Sequence, residues 1–171
     1  PAFMAPEMAR AEVDKIGVGS DVYLLGGILF QIVTGLFPHP GETVTTCLTN
    51  AANNTFQKSD VKSELLEVAM TAMAYDPESR YPDVPAFQKA IRQYLERRES
   101  MRLATQAAKN LKTARLKGDY TLFSRTVFGC EEASRIWSKN PKAKRVLGKA
   151  RLAYAACALA KNDLDLALSQ V

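Results

Sequence analysis

Three cysteines, one histidine and one tryptophan in 171 residues leave this chain poor in the side chains that most often build a chemical site. Cys47, Cys130 and Cys157 are scattered and odd in number. Neither a disulfide framework nor a cysteine-bound metal is expected, and the usage fits a reducing, cytoplasmic compartment. His39 has no second histidine with which to share an ion. The longest near-continuous apolar run, Val22 to Val33, spans 12 residues and includes Gln31. It is too short to cross a bilayer. No basic, apolar, small-residue leader opens the chain, so no signal peptide is expected. Pro1 is not an initiator methionine, which predicts further residues upstream. No segment alternates apolar and polar residues with period two over a useful length, so strands are not expected and the fold class is all-α.

What is present is ordinary in bulk and uneven in detail. The chain is 47% hydrophobic and 24% charged, which excludes wholesale disorder and suits one domain or two small ones. Residues 1–96 hold 7 Lys+Arg and 12 Asp+Glu, and residues 97–171 hold 16 and 6. The net charge therefore steps from −5 to +10, and such a change of sign marks a domain boundary. The join at Tyr94–Ser100 is charged and lacks Gly and Pro, so it reads as a helix running between two units. A basic second half can attract nucleic acid or an anionic surface. No nucleic-acid motif accompanies the charge, so the plainer reading is a solvated helical face with an acidic partner, such as the first half of the chain.

Along residues 1–19, Pro1, Pro6, Gly17 and Gly19 predict loop with one short helix around Pro6–Arg10. Ser20 or Asp21 is expected to cap a helix over 21–34. Val22, Leu25, Ile28, Leu29, Ile32 and Val33 make that helix apolar on every face, the pattern of a central core helix. Gly35 stops it. A weaker helix follows over 42–53, and then a helix over 61–75 with the stripe Leu65, Leu66, Ala69, Met70 and Met73, ended by Asp76-Pro77. Asp83 is expected to cap the next helix. Its apolar side carries Val84, Phe87, Ile91, Tyr94 and Leu95. From Glu99 the pattern is helical to the end: one helix to about Leu116, a break at Gly118, a helix from Asp119 to Asn140-Pro141, a third over 142–160 and the start of a fourth at Asp163. An internal repeat runs through this half. Lys117-Gly118-Asp119-Tyr120 matches Lys161-Asn162-Asp163-Leu164 at an offset of 44, and Ala114 lies over Ala158. Helix, tight turn and second helix, used twice, is the pattern of helical-hairpin repeats, here called tetratricopeptide-like.

Four short motifs in order carry a resemblance. Pro1-Ala2-Phe3-Met4-Ala5-Pro6-Glu7 ends on the A-P-E element. Ser20-Asp21-Val22-Tyr23-Leu24-Leu25-Gly26 follows, then Thr34-Gly35 with Phe37-Pro38, then Asp76-Pro77-Glu78-Ser79-Arg80-Tyr81. Together they make residues 1–96 resemble the C-terminal lobe of a eukaryotic-like, bacterial serine/threonine protein kinase. The resemblance implies a helical kinase platform, followed in residues 97–171 by antiparallel tetratricopeptide-like hairpins that contact other proteins. It implies that Pro1, Ala2, Phe3 and Met4 belong to the loop that receives the substrate residue after the acceptor. Ala5, Pro6, Glu7, Asp21, Gly26 and Arg80 would be structural elements. By the same resemblance Glu7 pairs with Arg80, and Gly26 permits close packing beneath the substrate loop. Asp21 is either a contact to a catalytic loop or simply a helix cap.

The resemblance also implies what this chain lacks. The Gly-rich loop, the strand Lys, the catalytic Asp and Asn and the metal-binding Asp of a working kinase are not in it. Lys15-Ile16-Gly17-Val18-Gly19 precedes no strand–loop–strand pattern and reads as loop. No catalytic, cofactor-binding or metal residue is therefore expected in this fragment. ATP and Mg²⁺ would serve the parent kinase, with protein Ser/Thr as substrate, and the fragment alone would be inactive. Apolar exposure is expected at Pro1–Glu7 and Asp21–Leu25. A pseudokinase scaffold, an adaptor working through the repeats, and nonspecific anion binding by the basic half are the alternatives. Among single residues, Trp137 reads as a core anchor and His39 as an exposed loop residue. Met70, Met73 and Met101 read as gap fillers, and Glu131-Glu132 as surface ion-pair partners.

Overall fold

Capping side chains and left-handed residues set the element boundaries. The computed structural model describes residues 1–170 and, among them, contains helices and loops but no strand. The chain is all-α. In order the helices are α1 (Pro6–Ala9), α2 (Val18–Thr34), α3 (Val44–Ala52), α4 (Glu64–Ala72), α5 (Val84–Lys117), α6 (Tyr120–Ile136), α7 (Pro141–Ala160) and α8 (Leu164–Ser169), with 3₁₀ turns at Val13–Lys15 and Pro77–Ser79. The chain divides into two compact units, Pro1–Tyr94 and Leu95 onward. Helix α5 contributes its first residues to one and the remainder to the other.

In the first unit α2 packs on α4 and α1 on α3. The core joins Ala5, Val22, Tyr23, Leu29, Phe30, Val68, Ala69, Ala72, Met73 and Phe87. Helix α2 begins three residues earlier than its side chains suggest. Its cap is Gly17, and Ser20 sits a turn inside, where its hydroxyl accepts from the Gly17 amide at 3.3 Å. Nor is α2 buried all round: Ile28 and Ile32, one turn apart, are 49% and 73% exposed. At Asp21–Leu25, against the expectation of exposure, Val22 and Tyr23 are buried and Leu24 and Leu25 are half-buried. Gly35 closes the helix at φ +75°, a conformation that costs glycine no Cβ clash. Helix α4 is shorter than its stripe. Ser63 caps it through the Leu65 amide, and past Ala72 the Ala74 and Tyr75 carbonyls turn to accept from Arg80 instead of continuing the helix.

The second unit is built from the rest of α5 with α6, α7 and α8. Ala107, Leu111, Ala114, Phe123, Cys130, Val146, Ala150 and Tyr154 form its main core, and Ala104, Ala133 and Ala143 a smaller one. Both copies of the repeated tetrapeptide adopt one turn. Gly118 and Asn162 each take φ +60°, and the following Asp119 and Asp163 cap α6 and α8. The Asp119 and Asp163 amides donate to the carbonyls of Ala114 and Ala158, both fully buried. Helix α6 ends at Ile136, short of the expected stop at Asn140-Pro141, and Asn140 instead caps α7. Fully buried, its Oδ1 accepts from the amides of Lys142 and Ala143, and its Nδ2 donates to Ser100, whose hydroxyl donates to the Ala133 carbonyl. Trp137 is only half-buried at the end of α6 and lies outside both clusters, and Met101 is exposed.

Candidate functional site

The start of α1 is held by one buried cation. The guanidinium of Arg80 has five N–H donors in a fixed fork, and all five are used. Nη1 donates to Glu7 Oε1 at 2.7 Å and to the Gly19 carbonyl at 2.9 Å. Nη2 donates to Glu7 Oε2 at 2.8 Å and to the Tyr75 carbonyl at 3.2 Å, and Nε to the Ala74 carbonyl at 2.8 Å. The two side chains are 0% and 2% exposed, and the Arg80 Cζ lies 4.8 Å from the centre of the Tyr23 ring. Ser20 completes the cage by donating to Glu7 Oε1 at 2.7 Å. Burial by itself pushes the Glu7 carboxyl up. The hydrogen bonds from Arg80 and Ser20 more than reverse this and hold it below the usual carboxylate range. Arg80 thereby joins α1, the start of α2 and the end of α4, a task that a lysine's point charge cannot perform.

A second buried network lies on the other side of Tyr23. His39 is 1% exposed, against the expectation of a solvated loop residue. Its Nδ1 donates to the Thr55 carbonyl at 2.8 Å, which leaves Nε2 as the bare nitrogen of the neutral ring, 2.7 Å from the Tyr23 hydroxyl. That hydroxyl also meets Asn54 Oδ1 at 2.5 Å, and Asn54 is turned the right way because its Nδ2 donates to the Met73 carbonyl. One phenolic proton thus serves two acceptors. Phe56 stacks on His39 at 5.3 Å between ring centres. Burial lowers the imidazole's pKa, only partly offset by the Thr55 carbonyl, and raises that of the Tyr23 phenol. The His39 amide donates to the Ala2 carbonyl at 3.1 Å, so this network positions the first loop. The flanking Pro38 and Pro40 speak for a loop, not for this burial. The available signal was the run of Tyr23, Asn54 and Thr55 as prospective partners, which no local pattern brings together.

Other candidate residues are placed as follows. Phe3 packs edge-on against Phe37, with ring centres 5.8 Å apart. The glycine beneath it is Gly27, where an added Cβ would lie 3.1 Å from Phe3 Cδ1. Gly26 faces α4 instead. A Cβ there would stand 2.7 Å from Ala72 Cβ and 2.9 Å from Met73 Cγ. Helical residues 100° apart point at different neighbours, and the spacing of the motif does not reveal which neighbour each meets. Asp21 is exposed in the first turn of α2, while Ala5 and Pro6 are buried. Beside the loop a pocket of about 390 Å³ is lined by Ala2, Leu36, Phe37, Pro40, Cys47 and Gln57, among others. Among the described residues no group of three His, Cys, Asp or Glu side chains is placed to hold a metal ion, and no helix is long and apolar enough to cross a membrane. Cys130 is buried, and burial pushes its thiol up to about 11.

Known proteins with similar sequences are bacterial kinases. No family model matches the chain. The tyrosine-protein kinase MasK of Myxococcus xanthus is 32% identical over 99 residues, covering 54% of this chain. The serine/threonine-protein kinase PknD of Chlamydia abortus is 32% identical over 102 residues, 56% of the chain. The serine/threonine-protein kinase PknB of Mycolicibacterium smegmatis is 34% identical over 84 residues, 46% of the chain. The chain spans only 15%, 10% and 13% of the length of these relatives. Over about half its length, therefore, this chain contains a kinase-related region.

Proposed function

We propose that residues 1–96 are the C-terminal part of a bacterial serine/threonine protein kinase domain, and that residues 97–171 begin a tetratricopeptide-like interaction region. The cage around Arg80 carries this reading: it fastens Glu7, the last residue of the A-P-E element, to the start of α2 and the segment after α4, in a region whose relatives are kinases. The parent kinase transfers the γ-phosphate of ATP, with Mg²⁺, to a protein Ser or Thr hydroxyl. Residues 1–171 supply none of that chemistry. In this reading Pro1–Met4 form the floor for the substrate residue after the acceptor, and the pocket beside Ala2 and Phe37 receives an apolar side chain there. The His39–Tyr23 network holds that floor through the Ala2 carbonyl. The absence of Lys and Arg from the loop favours a Ser/Thr acceptor over Tyr.

Two experiments test the reading. The coding sequence preceding Pro1 should encode a catalytic-loop Asp and Asn and a metal-binding Asp before Phe-Gly. The complete product should then transfer radiolabelled phosphate from ATP to Ser or Thr in a protein substrate, and residues 1–171 alone should not. Replacement of those upstream residues would establish a pseudokinase scaffold instead. A reading frame opening at Pro1 would leave a binding module.

A further inference from the structure

The cations of the second unit are not spread evenly over it. Five of them converge on one groove between the C-terminal half of its α5 segment and the first half of α7. Lys112 and Arg115 stand on one wall, and Lys142, Arg145 and Lys149 on the other. The floor is apolar: Ala108, Leu111 and Val146, the last two buried. The groove encloses about 270 Å³, and no acidic side chain lines it. None of the five cations forms an ion pair among the described residues, whereas Arg102, Arg135 and Arg151 elsewhere in the unit are neutralised by Glu99, Glu132 and Glu131. Two of the five are tied down by uncharged partners. Lys142 Nζ donates to the Thr105 hydroxyl at 2.7 Å, and Arg115 Nη2 reaches across to the Lys149 carbonyl at 3.3 Å. The walls are therefore held with their charge unspent. Asn140 has already satisfied the first amides of α7, so the groove's positive character comes from side chains rather than from open backbone donors.

We infer that this groove binds an acidic peptide segment of a partner protein, with carboxylates on the two cationic walls and an apolar side chain on the Leu111–Val146 floor. Three features select this occupant. The first and last cations on α7 are seven residues apart, about 10 Å of helix, which is longer than a single small anion and suits about three residues of extended peptide. A floor of Leu, Val and Ala favours a chain with apolar side chains over a phosphate backbone. No aromatic side chain lines the groove, so the stacking platform on which single-stranded nucleic acid relies is missing. This inference deepens the interaction role given above to residues 97–171, and it is independent of phosphate transfer: either can fail while the other stands.

The test uses the whole 171-residue chain and fluorescence anisotropy. The probe is a short labelled peptide of glutamate interspersed with leucine. Its glutamine counterpart and a single-stranded DNA oligonucleotide are run beside it. Lys112→Glu with Arg145→Glu reverses one cation on each wall. Arg125→Glu with Lys139→Glu makes the same change of net charge at two exposed positions outside the groove. Circular dichroism confirms that both variants fold. The acidic peptide should bind the parent chain and lose at least about tenfold in affinity in the groove variant but no more than about twofold in the control. The glutamine peptide should not bind, and affinity should fall as salt rises from about 50 mM to about 0.5 M. The inference is overturned if the acidic peptide does not bind, if both variants weaken it equally, or if DNA binds more tightly than the peptide and is lost in both variants.

Discussion

Arg80→Lys keeps the buried charge and changes only its geometry, so it isolates what the fork contributes. An ammonium has three donors against the five that Arg80 uses. With the best placement, two of the five acceptors lose their partner in a cage where the side chains are 0% and 2% exposed. An unsatisfied buried acceptor costs about 1–3 kcal/mol, so two orphaned groups give a loss of about 2–6 kcal/mol. If charge alone mattered, the substitution would be nearly silent. Native-state hydrogen exchange read by mass spectrometry is the suitable assay, because it follows the two units separately. Amides of α1, the first turns of α2 and the end of α4 should exchange at least about thirtyfold faster, the low end of that range at about 1.4 kcal/mol per tenfold. Amides of α6 and α7 should not change. Unaltered protection over residues 5–34 and 64–80 in a folded variant would refute the claim that the fork joins these segments.

Five further outcomes are expected. His39 is held neutral, with its folded pKa below the unfolded value of about 6.5. The unfolded chain therefore takes up a proton first, and stability should drop as pH falls from above that value toward the folded one. Urea midpoints across this range measure the slope, and His39→Gln should remove it. The Glu7 carboxyl acts in a lower window: its contribution is complete above the ordinary value of 4.5 and is lost as pH falls through the depressed folded value. Gly26→Ala forces a Cβ to within 2.7 Å of Ala72 Cβ and should cost about 1–3 kcal/mol in chemical denaturation, more than Gly27→Ala, whose nearest neighbour is a movable ring at 3.1 Å. Asp119→Ala should destabilise the second unit by about 1 kcal/mol, since it frees the Thr121 and Leu122 amides that start α6. Asn162→Gly should leave thermal stability unchanged or slightly higher, because φ is +60° there, and a clear loss would contradict the turn.

Much of the element order is legible in the residues. Asp119 and Asp163 precede apolar periodicities and do cap α6 and α8, whereas Asn140, read as a stop, turns out to cap α7. Gly35 and Gly118 stand where left-handed backbone ends a helix. Boundaries shift wherever a side chain is claimed by a distant partner. Ser20 answers to Glu7 as well as to Gly17, and so it lies inside α2 rather than before it. The carbonyls after Ala72 answer to Arg80, and so α4 ends early. His39 shows the same limit in the candidate site. Flanking prolines speak for a loop, which it occupies, but they do not speak for burial.

The sequence by itself determined that this protein is helical, where most helices begin, and that its charge changes sign along the chain, because periodicity, capping and composition are local properties. Only the tertiary structure decided which face of α2 is covered, which glycine lies under Phe3, that His39 is enclosed, and that five cations share one groove. Those facts depend on which residues far apart in sequence come within a few ångströms of one another. Local preference does not encode that proximity. It is fixed by the packing of the cores and by buried polar groups such as Arg80 and Asn140, which must find every partner they need.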